Sequence, residues 1–141
     1  MNQFSSPCYC INFRRAAGVL SAFYDKSLAS ARLTTSQFSL MKSLSQVEPC
    51  TVTMLADIMG LERTTLVRTM RPLLERKLIH NTASEKSRNK ALTLTKEGIA
   101  LLGYANELWS NAQSEIESYM GHDRIETLME LLVKIESFTG S

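Results

Sequence analysis

The chain is poor in the residues that most catalytic chemistry needs. Its 141 residues include two histidines, three cysteines and six glycines. Neither histidine stands in a nucleophile motif, no glycine-rich stretch matches a phosphate-cradling loop, and no Cys/His pair has supporting spacing. An enzyme is therefore not expected, and no cofactor is implied. Three cysteines do not make a paired secreted framework. Cys8-x-Cys10 is isolated and His80 and His122 are remote from it, so no metal site is expected. No apolar run approaches the roughly 20 residues of a membrane span. The opening "MNQFSSPCYCINFRR" has no basic segment ahead of an apolar core, as a signal peptide would. The expectation is a soluble, cytoplasmic protein.

What is present is enough apolar material for one domain with a real core. The net charge of +2 hides an asymmetry. Residues 61–90 carry eight Lys/Arg against three Asp/Glu, and the remainder carries eight against eleven. A basic block in an otherwise acidic chain points to a local anionic partner.

Apolar spacing predicts the elements. Phe13, Ala17, Leu20, Phe23 or Tyr24, and Leu28 fall at helical intervals in 11–30. A second helix is expected over 35–46, with Thr34 as N-cap, Gln37 as its capping-box partner, and Glu48-Pro49 as the stop. A short helix follows at about 53–59, capped by Thr51 or Thr53 and ended by Gly60. "LIHNT" (78–82) and "KALTL" (90–94) read as a hairpin around the polar tip "ASEKSRN". Thr95 caps a long helix, about 95–119, whose Leu102, Ala105, Trp109, Ala112, Ile116 and Tyr119 form a narrow seam. A last helix carries Ile125, Leu128, Leu132 and Ile135. This order is mainly α with a small β-hairpin wing: a single domain over 1–141. Its winged helix-turn-helix spans about 35–95, between dimerisation helices at about 11–30 and 95–139. The flanking seams exceed what one small domain buries, so a homodimer is expected.

The chemistry concentrates in "LERTTLVRTMRPLLERK" (61–77). On a helix, Leu66, Val67, Met70, Leu73 and Leu74 gather on one side, and Thr64, Thr65, Arg68, Pro72 and Glu75 on the other. Two short hydroxyl side chains followed one turn later by an arginine suit a DNA major groove. The threonines permit close approach, and the Arg68 fork matches a guanine edge. Arg63 and Arg71 are read as phosphate contacts and Arg76 as merely solvated. Pro72 is expected to be a tolerated break on the outward side, where the helix bends away from the groove. The hairpin tip adds Lys86, Arg88 and Lys90 for the backbone or the minor groove, with Arg88 the candidate for insertion.

"TVTMLADIMGLERTTLVRTMRPLLERKLI" and "SEKSRNKALTLTKEG" resemble the helix-turn-helix and wing of the MarR family of transcriptional regulators. The resemblance runs from about residue 11 to 138, with "TTLVR" and "LTLTKEG" its most specific pieces. It implies an obligate dimer, with two reading helices one helical turn apart on a pseudo-palindromic double-stranded operator. It also implies release by a small ligand or an oxidant, more often from a repressor. Two departures stand out. Lys86 replaces the usual wing aspartate, and Lys77 stands where a glycine is common.

Two switches follow. Cys8 and Cys10 lie at the start of the first helix, where a thiol pKa can be lowered. Cys10 matches the reactive cysteine of the hydroperoxide-sensing branch of the family, although Thr35 and Phe38 replace the tyrosines of that branch. A small aromatic ligand is the other route, with Phe13, Tyr24, Met41 and Trp109 as possible lining. The competing reading is a winged-helix module for protein interaction, which would expose apolar anchors on the face that here carries Thr64, Thr65 and Arg68.

Overall fold

The structure is a computed structural model and describes residues 6–81 and 91–140. Its elements are α1 (Tyr9–Ser27), α2 (Thr35–Val47), α3 (Val52–Met59), α4 (Arg63–Glu75), β1 (Ile79–Asn81), β2 (Leu92–Leu94), α5 (Lys96–Met120) and α6 (His122–Glu136). The two strands pair antiparallel, with Ile79 opposite Leu94 and Asn81 opposite Leu92. Cys50 adds an isolated bridge to Leu92, so the segment before α3 is tied to the outer edge of β2. This is the winged helix-turn-helix expected from the sequence, with long helices on both flanks.

Local chemistry explains the boundaries. Thr34 and Gln37 form a reciprocal capping box at α2. The Thr51 hydroxyl accepts from the Met54 amide at 3.1 Å and starts α3. Gly60, at φ 66°, lets the Leu61 amide reach back to the Ala56 carbonyl at 2.9 Å. The first helix begins two residues earlier than expected and stops at Ser27. A 3-10 turn (Ala29–Ala31) and left-handed Arg32 then reverse the chain into α2.

Pro72 does not break α4, which is one continuous helix from Arg63 to Glu75. Pro72 is half-buried, and the carbonyl its missing amide would have met belongs to exposed Arg68. The helix ends two residues before the expected Lys77. There Lys77 adopts φ 57°, and the Lys77 and Leu78 amides bond the carbonyls of Leu74 and Leu73 at 3.0 and 2.9 Å. That is the left-handed helix ending for which glycine is usual.

The core lies between α2, α3, α4 and the hairpin. Leu40, Met41, Leu44, Leu55, Leu66, Leu73 and Leu92 are completely buried there. The α5 seam divides. Leu102, Ala105 and Ala112 are buried within this chain, whereas Ile116 is half-buried and Tyr119 is 89% exposed. Neither α1 nor α6 has a buried residue. Their apolar side chains, among them Val19, Leu20, Leu131 and Val133, remain open.

Candidate nucleic-acid interface

Helix α4 is seated by its inner face. Leu66, Met70 and Leu73 are buried at three- and four-residue spacing, with Val67 and Leu74 packed against the same core. This fixes what faces outward. Arg63, Thr64, Thr65, Arg68 and Arg71 are all exposed, as is Glu75. No large apolar side chain shares that exposed set. Thr65 and Arg68 are one turn apart, and the Thr65 carbonyl also accepts the Thr69 hydroxyl at 3.2 Å.

The N-terminus of α4 is open. Its N-cap, Glu62, makes no side-chain cap bond. The first amides of the helix therefore keep the positive end of the helix dipole beside Arg63. Such an end favours a phosphate, and arginines on the same face supply the charge. Lys86, Arg88 and Lys90 lie outside the described residues. The strands on either side of them in sequence, β1 and β2, are held against α4 and α2.

Arg76 is not merely solvated. Its Nη1 donates to the Arg32 carbonyl at 2.6 Å and its Nη2 to the Ala31 carbonyl at 3.4 Å. It ties the end of α4 to the turn before α2. The spacing that placed Arg76 on a helix face carried no information about a carbonyl 44 residues away.

Sequence reading also missed why "LTLTKEG" is shaped as it is. The Thr95 hydroxyl lies 2.7 Å from the Lys77 carbonyl and 3.1 Å from that of Leu78, while accepting from the Gly98 amide at 2.9 Å. Gly98 sits directly under the Leu78 carbonyl. One threonine thus caps α5 and closes the turn after α4.

The effector candidates are scattered. Cys8 and Cys10 are exposed, and the Cys8 amide donates to the Ser6 hydroxyl at 3.0 Å. Cys50 is buried, and burial, followed by the Glu48 carboxylate, pushes its thiol pKa up. Neither position matched to a sensing tyrosine offers a phenol. The Thr35 hydroxyl donates to Asp25 Oδ1 at 2.6 Å, and Phe38 is buried beside Trp109. Of the suggested ligand lining, Met41 is fully buried and Phe13 lies on exposed α1, while the Tyr24 hydroxyl donates to Gln113 Oε1. A wide apolar groove of about 860 Å³ exists elsewhere. It runs between α1, α5 and α6, past Val19, Leu20, Phe23, Ile116 and Leu128.

Among the described residues no helix is long and apolar enough to cross a membrane, and no cluster of His, Cys, Asp or Glu could hold a metal ion. The family model described as the MarR family matches residues 33–90. Three solved structures are similar over almost the whole chain. The transcriptional repressor CouR bound to a 23-mer DNA duplex shares 25% identity, over 92% of each chain, at TM-score 0.83. CouR bound to p-coumaroyl-CoA shares 24% identity over 94% of each chain, at TM-score 0.85. The transcriptional regulator MosR of M. tuberculosis shares 32% identity over 93% of this chain and 96% of that one, at TM-score 0.77. Hydrophobic seating, exposed arginines, wing and near full-length likeness agree, and the chain belongs to the MarR family of transcriptional regulators.

Proposed function

We propose that the protein is a homodimeric repressor that reads a pseudo-palindromic double-stranded operator through α4. The observation that carries this is the outward face of α4. Its inner face is buried, and Arg63, Thr64, Thr65, Arg68 and Arg71 point away from the core together. Arg68 reads a base edge, the threonines allow close approach, and Arg63 and Arg71 hold phosphates. Lys86, Arg88 and Lys90 track the backbone or minor groove from the wing.

The open apolar surface supports the dimer. On α6 the apolar residues Ile125, Leu128, Met129, Leu131, Leu132, Val133 and Ile135 cover more than half the helix circumference. That is too much for one neighbour within the chain. A second copy seated along α1, α5 and α6 would cover it together with the apolar groove.

Release by a small ligand or by oxidation of Cys10 or Cys8 completes the proposal. The test is binding to the DNA upstream of the protein's own gene, with and without hydroperoxide. Arg68→Ala should remove discrimination between that DNA and random duplex; unchanged specific binding would refute its base-reading role. Arg88→Ala should weaken binding and lower the salt slope by about one unit. Release by hydroperoxide that survives in Cys10→Ser would exclude Cys10 as the sensor.

A further inference from the structure

Lys42 occupies an unusual position for a cation. It lies on α2, in the reading module, and is half-buried. Its ammonium sits 3.6 Å from the centroid of the Trp109 ring and 5.5 Å from that of Phe38. It donates to Asn106 Oδ1 at 3.3 Å. Among the described residues it has no carboxylate partner. Trp109 and Asn106 lie one turn apart on α5, and Trp109 is the chain's one tryptophan.

These contacts join two bodies. The module holds α5 by its foot, where Thr95 and Gly98 meet the Lys77 and Leu78 carbonyls. Lys42 holds it again at Asn106 and Trp109, about 17 Å further along the helix axis. Between these points Leu102 and Ala105 are buried and the Ser30 and Tyr104 hydroxyls lie 2.8 Å apart, so α5 is packed along this stretch and Lys42 adds a directional contact at its far end. Apolar packing at the upper point, Phe38 against Trp109, is non-directional and tolerates sliding. A cation centred on a ring and hydrogen-bonded to the neighbouring turn is directional.

We propose that Lys42 is a positioning residue that sets the angle between the reading module and α5, and through it the half-site spacing the dimer accepts. This rests on the dimeric operator reading above. Changing the separation of two half-sites by one base pair moves the second by about 3.4 Å and turns it by roughly 35°. A rigid dimer rejects that change, whereas a dimer whose modules tilt tolerates it.

The experiment uses the full-length protein and duplexes selected by the wild type from a random library. The preferred duplex is then compared with versions whose half-sites are one base pair closer or farther apart. Lys42→Met keeps the apolar stem and removes the charge; Lys42→Arg keeps a cation for the ring. In Lys42→Met the affinity ratio between preferred and respaced duplexes should shrink roughly 2- to 30-fold, the range that loss of one such contact spans. Lys42→Arg should hold the wild-type ratio. A purely structural role would weaken all duplexes alike, so a Lys42→Met dimer with an unchanged ratio overturns the proposal. If Lys42→Met does not fold, Asn106→Ala, which removes the acceptor and leaves the lysine, carries the same comparison. A wild-type protein that sediments as a monomer, or selects no paired half-sites, defeats the operator reading itself before any variant is made.

Discussion

Gly98→Ala sets two physical effects against each other within one helix. Alanine is the better helix former by about 1 kcal/mol, so helix propensity alone makes the substitution stabilising. Packing gives the opposite sign. A Cβ at Gly98 would stand 2.0 Å from the Leu78 carbonyl oxygen, a backbone atom, where contacts under 3.0 Å are essentially never seen. Relief therefore requires a backbone shift of about 1 Å. The Leu78 carbonyl also accepts from the Thr95 amide at 3.1 Å, and the Thr95 hydroxyl caps α5 through the Gly98 amide at 2.9 Å. A shift of that size strains both. Overpacking costs about 1–3 kcal/mol, a lost cap about 1, and a weakened backbone hydrogen bond about 1. After the helix gain, the net loss is about 2–4 kcal/mol, or a fall of about 5–15 °C in Tm. Gly103→Ala is the control, because it lies on the same helix with nothing within 4 Å of its added Cβ. It should be neutral or stabilising by up to about 1 kcal/mol. Both variants are compared by thermal melts at one protein concentration, so that any self-association acts on both alike. A Gly98→Ala protein that melts with or above the wild type would refute the close-approach argument.

Three further outcomes are expected. Lys77→Gly relieves a side chain held at φ 57° and should stabilise by about 0.5–1 kcal/mol in urea unfolding, with DNA binding unchanged. Arg76→Met removes the donors to the Ala31 and Arg32 carbonyls and should cost about 1–2 kcal/mol while leaving the salt slope of DNA binding intact; a slope lowered by about one unit would make Arg76 a phosphate contact instead. Burial raises the Tyr24 pKa above its ordinary 10.0. The folded state thus holds that proton when the unfolded state has lost it, so stability should decline as pH climbs beyond about 10, and Tyr24→Phe should flatten the decline in melts across that range.

Much of the fold was legible because its signals are local. Thr34 with Gln37, Thr51 and Gly60 each act within one helical turn, so the boundaries they set can be read from a few residues. The inner face of α4 was legible for a related reason. Leu66, Met70 and Leu73 recur at the helical period, and a period survives whatever the neighbours are. Arg76 failed for the opposite reason, since its partners are main-chain carbonyls on a distant turn. The same holds for the α5 seam. Its spacing is uniform, yet one half packs inside this chain and the other half is open, and spacing alone cannot say where a neighbour ends.

The sequence by itself determined the helix order, the caps, the face of α4 that turns outward and the family likeness, because each depends on residues close along the chain or on a short motif. Only the tertiary structure decided that Gly98 lies beneath the Leu78 carbonyl, that Arg76 serves the turn before α2, and that Lys42 sits on Trp109. Those contacts join residues from 20 to 67 positions apart. Their existence depends on how helices cross in space, which no local periodicity encodes.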